Sequence, residues 1–167
     1  TAEGSGVGRT DDGIAVFVQG SAIGDELNVR ILKVKKTYAF GKIEEILVPS
    51  KARITPDCEN FMKCGGCTWR HISYEEECKI KQQRVEDAVT RIGGLDNVVF
   101  QPIISSDNLT RYRNKAQYPV GLDRDGNVVT GFYSFHSHRI INCTDCILQP
   151  EIFARVIEIT KDFIAKT

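Results

Sequence analysis

The sequence predicts a mixed β and α/β chain, with a small β-barrel over residues 1–50 followed by a small α+β domain over residues 51–167. Three observations lead there. The first 50 residues hold short apolar or alternating runs cut by glycines, with no helical period. A helix with a start signal opens at Ser73. Between the two lies a dense group of thiols, Cys58-x5-Cys64-Gly65-Gly66-Cys67, at a spacing that suits a metal site.

Ile14–Gln19 is a compact apolar run, and Gly20–Asp25 carries turn chemistry. Leu27, Val29 and Ile31 alternate with polar residues and start a second strand that reaches Lys33 or Val34; Tyr38–Val48 makes the next. Short strands with glycine at the corners suggest a barrel. The Gly4-x-Gly6-x-Gly8 run invites a nucleotide-loop reading. Such a loop needs a helix whose N-terminus faces the phosphate, whereas this run leads into Thr10–Gly13 and a strand. Close backbone packing within a strand is the better account. Pro49–Asp57 is a polar connector to the cysteines.

Ser73-x-x-Glu76 reads as a capping box, with Glu75, Glu76 and Glu77 at the positive end of the helix dipole. Tyr74, Cys78, Val85, Ala88, Val89 and Ile92 recur at helical spacing, so Cys78 reads as part of a buried stripe, and Gly93-Gly94 ends the helix. Strands are expected over Val98–Ile104, Lys115–Leu122 and Val128–Tyr133, the last two joined at Asp125-Gly126. From Pro150 an amphipathic helix carries Ile152, Phe153, Val156, Ile157, Ile159 and Phe163 to the end of the chain. No capping signal stops it, so the sequence reads as cut rather than finished.

At 167 residues and 41% hydrophobic content the chain can bury a proper core in one or two domains. Lys and Arg number 22, Asp and Glu 22, so the net charge names no partner. The distribution is uneven: residues 1–27 carry a net charge of −4, and residues 28–53 carry +5, including Lys33, Lys35 and Lys36. The ordinary reading of such a basic stretch is a solvated strand face. No run of 18 apolar residues exists, so nothing is expected to span a membrane.

Six cysteines without a visible secretory leader argue against a disulfide framework. Gly65 and Gly66 let the short loop bend back and leave their N–H groups free to donate to sulfur. Three thiolates do not close a tetrahedral site, and Cys143-x2-Cys146 offers the remainder. A zinc ribbon would pair Cys64 and Cys67 with Cys143 and Cys146, leaving Cys58 idle. A [4Fe–4S] cluster would take Cys58, Cys64, Cys67 and one distant cysteine. Spacing leaves both open. His136 and His138, just before Cys143, are further metal-ligand candidates, although such histidines are more often simply packed or exposed.

Arg111-Tyr112-Arg113-Asn114-Lys115 sets three cations and an aromatic ahead of a strand, a combination that suits phosphates and unstacked bases. The plain alternative is a solvated loop.

Taken together these residues resemble the RNA (uracil-5-)-methyltransferase family, in its iron–sulfur branch acting on 23S rRNA. Gly4-Ser-Gly-Val-Gly-Arg9, Ile14-Ala-Val-Phe-Val18, Gly24-Asp25 and Lys33-x-Lys35-Lys36-x-Tyr38-Ala-Phe40-Gly41 look like a TRAM domain, an OB-like RNA-binding barrel. The cysteine loop, with Trp69-Arg-His71 and Tyr74 after it, looks like the family's cluster loop. Tyr112-Arg113-Asn114-Lys115, Gly131-Phe132-Tyr133, Ser137-His138 and Cys146-x-Leu148-Gln149-Pro150 match its central domain.

The resemblance implies a [4Fe–4S] cluster on Cys58, Cys64, Cys67 and Cys146, with Cys143 a bystander. Lys33, Lys35, Lys36 and Phe40 in the barrel, and Arg111, Tyr112, Arg113, Asn114 and Lys115, are expected to contact one RNA, since each segment combines cations with aromatic rings. The resemblance also implies a cytoplasmic monomer that binds ribosomal RNA ahead of tRNA and touches no membrane. In that family a C-terminal domain binds S-adenosylmethionine; a cysteine adds to C6 of a flipped-out uracil, C5 takes the methyl, and a carboxylate removes the C5 proton. No segment here matches that machinery, so no catalytic residue is assigned and the chain reads as the non-catalytic portion of an enzyme. Members usually have one more strand before the Gly-rich run. Two other readings stay open: a stand-alone RNA-binding protein with structural zinc or iron–sulfur, and a redox carrier, disfavoured because Trp69 and the apolar helix suggest a buried cluster and nothing resembles a flavin or nicotinamide site.

Overall fold

A computed structural model describes Thr1 and residues 4–166. Their contacts divide the chain into two compact units, residues 1–57 with 68–105, and residues 58–67 with 106–167. A simple division at residue 50 therefore does not describe the contacts. The connector and the first helix group with the N-terminal strands, while the cysteine loop groups with the C-terminal half.

Unit one is built on β1 (Ser5–Arg9), β2 (Ala15–Gln19), β3 (Glu26–Val34) and β4 (Tyr38–Val48), in the order β1-β2-β4-β3. β2 and β4 run parallel and the other neighbours antiparallel. The alternation read from the sequence sets the faces: Val16, Val18 and Ala39 turn inward and make the core, with Leu27, Val29 and Ile43 packed on it. Register shifts along β3 and β4 bend the sheet. The glycine run leads into strand β1, with Gly6 and Gly8 inside it and Gly4 just before it; close packing would exclude a Cβ at Gly4 and Gly6, but Gly8 has open space. This is the β-rich architecture expected of an OB-like barrel, here a four-stranded sheet among the described residues.

Asp25 fastens this sheet to the connector. Burial opposes its ionisation, but the Arg53 guanidinium and the N–H groups of Ala22 and Ser50 outweigh that and hold its carboxyl below the usual range. The Arg53 contacts are bidentate, at 2.7 and 2.6 Å.

Helix α1 (Tyr74–Asp87) starts where the sequence placed it, with Ser73 Oγ accepting from Glu76 N–H. The capping box is only half made, because Ser73 N–H donates instead to the Ala52 carbonyl. The helix continues to Ile92 as a π-helical turn and ends at Gly93-Gly94. The buried apolar stripe is not found: no α1 residue is buried, Val85 is 57% exposed, and Cys78 is half-buried. Pairs such as Lys81–Glu77, four residues apart, support it locally instead.

Residues 98–104 form no strand. Val99 and Ile104 lie exposed, no strand among the described residues pairs with the segment, and Pro102 lacks an N–H. In unit two, β5 (Val120–Leu122) is much shorter than expected, starting only after Pro119, and pairs with β6 (Val128–Tyr133) through the turn at Asp123–Asn127. β7 (Ile140–Asn142), which the sequence reading missed, completes the sheet. Gly131 permits that pairing, since a Cβ there would strike the Ile141 carbonyl and lie 2.6 Å from Cys143 N. Helix α2 (Glu151–Ile164) packs on β6 and buries Ile157. The helix was expected to reach the end of the chain, but stops at Ile164; Thr167 lies outside the described residues.

Candidate functional site: a thiol-lined cavity and two basic aromatic segments

Cys58, Cys64, Cys67, Cys143 and Cys146 line one cavity of about 60 Å³ in unit two. Tight turns bend the loop: Phe61 N–H donates to the Cys58 carbonyl at 3.0 Å and Cys64 N–H to that of Asn60 at 2.8 Å. Gly65 N–H donates to the Tyr133 carbonyl at 2.9 Å, and a Cβ on Gly65 would come within 3.2 Å of that oxygen. Gly66 N–H reaches Cys64 Sγ at 3.3 Å, the donor expected of these glycines.

The opposite wall is the Cys143–Gln149 turn, closed by Gln149 N–H on the Cys146 carbonyl. Arg111 clamps it. Its guanidinium makes a bidentate pair with Asp145 at 2.5 and 2.9 Å and donates to the carbonyls of Cys146 and Gln149. Its backbone N–H meets Ile147 and that of Arg113 meets Leu148, which brings Arg113 to the cavity wall. The segment read as a uniform set of RNA contacts thus divides. Arg111 is occupied within the unit, whereas Tyr112, Arg113, Asn114 and Lys115 are exposed, Arg113 also bordering the thiols.

Electrostatics bind the thiols into one set. Burial first, then the neighbouring Cys146 and Cys58, push the Cys64 thiol up. Cys143, only 8% exposed, is pushed up to about 12 by burial and by Cys146, Cys58 and Cys64. Several thiolates cannot share such a space without a compensating positive centre. Gln149, 2% exposed, lines the same wall, and its side-chain oxygen has no hydrogen-bond partner. Among the described residues no three His, Cys, Asp or Glu side chains are arranged to hold a single ion. A cluster with one thiolate per iron spreads its ligands and does not require that arrangement. The donor set fits such a group.

His136 and His138 stand exposed on the β6–β7 turn, where the His138 ring lies against Tyr133 at 5.3 Å. Trp69 belongs to unit one, where Lys81 Nζ lies 5.8 Å from its ring.

On unit one, Phe17, Tyr38 and Phe40 form an aromatic cluster, with centroids 5.4 to 5.9 Å apart and two of the three pairs edge-on. The buried Val16, Val18 and Ala39 face inward, so these rings take the outer face. Lys33 is paired with Phe40 and shares that face; Lys35 closes the turn through its N–H to the Tyr38 carbonyl at 2.7 Å. Phe40 is 39% exposed and is not a core residue. The sequence reading missed Phe17, although strand alternation alone puts it opposite the core valines.

Residues 1–43 match the TRAM domain family. An uncharacterised RNA methyltransferase of Clostridium tetani is 42% identical over 164 residues, covering 98% of this chain and 35% of that protein. One of Thermosynechococcus vestitus is 44% identical over 146 residues, covering 87% of this chain and 32% of that protein. In fold the chain is similar to a Pyrococcus abyssi tRNA (uracil-54, C5)-methyltransferase solved with S-adenosyl-L-homocysteine. The TM-score is 0.59 at 24% identity, over 99% of this chain and 38% of that one. No helix among the described residues is long and apolar enough to cross a membrane. The chain carries a TRAM domain and is homologous along nearly its whole length to proteins named RNA methyltransferases, of which it spans about a third.

Proposed function

We propose that the chain is the RNA-binding and iron–sulfur portion of a cytoplasmic, S-adenosylmethionine-dependent RNA (uracil-5-)-methyltransferase acting on 23S rRNA. The observation that carries this is the joint opening of Cys58, Cys64, Cys67 and Cys146 onto one cavity, in a chain homologous to RNA methyltransferases. These four thiolates would hold a [4Fe–4S] cluster, with Gly66 N–H donating to a ligand sulfur and Cys143 as a neutral wall. Such a cluster would tie the cysteine loop to the Cys143–Gln149 turn through these thiolates. The outer face of the sheet and its β3–β4 turn, with Lys33, Lys35, Lys36 and Phe40, meet RNA, as do Tyr112, Arg113, Asn114 and Lys115. The S-adenosylmethionine site and the catalytic groups lie in parts of the protein outside these residues, and methyl transfer needs them. The chain acts as a monomer; tRNA is the alternative substrate.

Structural zinc in a stand-alone RNA-binding protein is the second reading, favoured by Cys143 lining the same cavity. Anaerobic purification with iron, sulfide and zinc analysis separates the two. Iron and sulfide in equal amounts with a brown chromophore are expected. Zinc without sulfide would replace the cluster by the ribbon.

A further inference from the structure

We propose that the tip of the β6–β7 hairpin is a nucleobase-stacking surface for single-stranded RNA, formed by Tyr133, His136 and His138 beside Arg139. It rests on the RNA-binding reading above, and adds a contact region that the basic segments do not include. Residues 133–138 hold four rings, and Tyr133, His136 and His138 are all exposed, Tyr133 by 47%. Tyr133 and His138 lie 5.3 Å apart with planes at 56°, and Phe135 and His136 6.0 Å apart. A turn exposed to water has no need of so many rings.

Hydrogen bonds brace the tip. Ser134 N–H donates to the Arg139 carbonyl at 2.9 Å, Ser137 N–H to the Ser134 carbonyl at 3.2 Å, and Arg139 N–H to Ser137 Oγ at 2.9 Å. His136 is held at φ 52°, a left-handed conformation that costs energy for a non-glycine residue and persists where the surroundings impose it. These bonds hold Ser134, Ser137 and Arg139 within the turn, while Tyr133, His136 and His138 are exposed to solvent.

The tip borders a hollow of about 330 Å³ between Gly65-Gly66 and the Phe132–His136 segment. Cys64 pairs with Ser134 as an isolated antiparallel bridge, and Gly65 bonds Tyr133, so the rings are fastened to the cysteine loop. Rings and arginine also anchor protein interfaces; here they sit in a chain that carries a TRAM domain and two basic aromatic segments, which favours nucleic acid. Here ring faces alternate with serines and one arginine, which suits bases splayed from a single strand with a phosphate nearby. A regular RNA duplex keeps its bases stacked and offers such rings nothing to stack on.

The test uses the metal-loaded chain and fluorescein-labelled uridine-containing RNA, single-stranded and as a matched duplex, read by fluorescence anisotropy. Tyr133→Ala is expected to weaken single-strand binding by about five- to a hundred-fold with an unchanged salt slope, and Tyr133→Phe to retain it. If Tyr133→Ala disturbs folding or iron content, His138→Ala and cross-linking of 4-thiouridine RNA replace it. A cross-link within residues 133–139 supports the surface. Wild-type binding with unaffected Tyr133→Ala and His138→Ala, a cross-link confined elsewhere, or a preference for the duplex overturns it and leaves the RNA-binding reading intact. Failure of the wild type to bind any RNA overturns that reading, and this surface with it.

Discussion

In the N-terminal sheet, Val16, Val18 and Ala39 sit at alternate positions of paired strands and make a core from short-range pattern alone. Around the cysteines, Cys143 and Leu148 are buried among backbone that is largely irregular, with only three- to six-residue strands nearby. The first region stores its stability in ladders and apolar packing. The second is arranged around side chains that repel each other once ionised, and in the proposed function its cohesion comes from what they bind. One region can be judged from hydrophobicity, the other only from ligand chemistry.

The sharpest way to break that contrast is Cys146→Ser. We expect loss of iron and sulfide, and loss of hydrogen-exchange protection around β6 and β7, with β2 and β4 amides unchanged. Protection in unit two that survives metal loss would show a self-sufficient core there. Arg111→Ala tests the clamp on the same turn, with metal affinity expected to fall by roughly 10–100-fold, as for other groups that orient ligands. Unchanged metal retention would return Arg111 to the RNA-contact set.

The reciprocal change lies in unit one. Asp25→Ala leaves the Arg53 side chain, 16% exposed, without its carboxylate, with only the Gly20 carbonyl to accept from it, and should destabilise the sheet by about 3 kcal/mol while leaving metal content intact. The pH dependence has a defined sign. Because the Asp25 carboxyl is held below its ordinary value in the folded state, its stabilisation is complete above the unfolded value near ~4 and disappears as pH falls through the lower, folded one. Chemical denaturation at pH 7 and pH 3 should show the loss in the wild type, and a smaller one in Asp25→Ala.

The same contrast governs what the sequence could disclose. β4 and β6 were legible to the residue because alternation and turn signals agreed, and α1 began at its Ser73 cap. The 98–104 strand failed because β-propensity without a partner strand forms no ladder, and β7 went unseen because three residues carry no readable period. The cysteine spacing was visible and the shared cavity follows it. The division of the Arg111–Lys115 segment was not, since it depends on Asp145 and the Cys146 carbonyl, more than thirty residues away in sequence.

The smallest expected effects distinguish charge from stacking on the sheet's outer face. Phe40 packs against Phe17 and Tyr38 outside the core, so Phe40→Ala should leave the fold intact and weaken RNA binding by about 1–3 kcal/mol, with the salt dependence preserved. Lys35→Glu with Lys36→Glu removes two cations from the exposed β3–β4 turn without touching the rings. Each phosphate contact contributes about 0.7 to the slope of log affinity against log salt for a single strand, so the slope should flatten by roughly one to two. Anisotropy titrations across a salt series separate the outcomes. If both substitutions change the slope alike, the rings only support the lysines and the stacking role of this face is wrong. If Phe40→Ala unfolds the sheet, the outer cluster is structural, and RNA contact here reduces to charge.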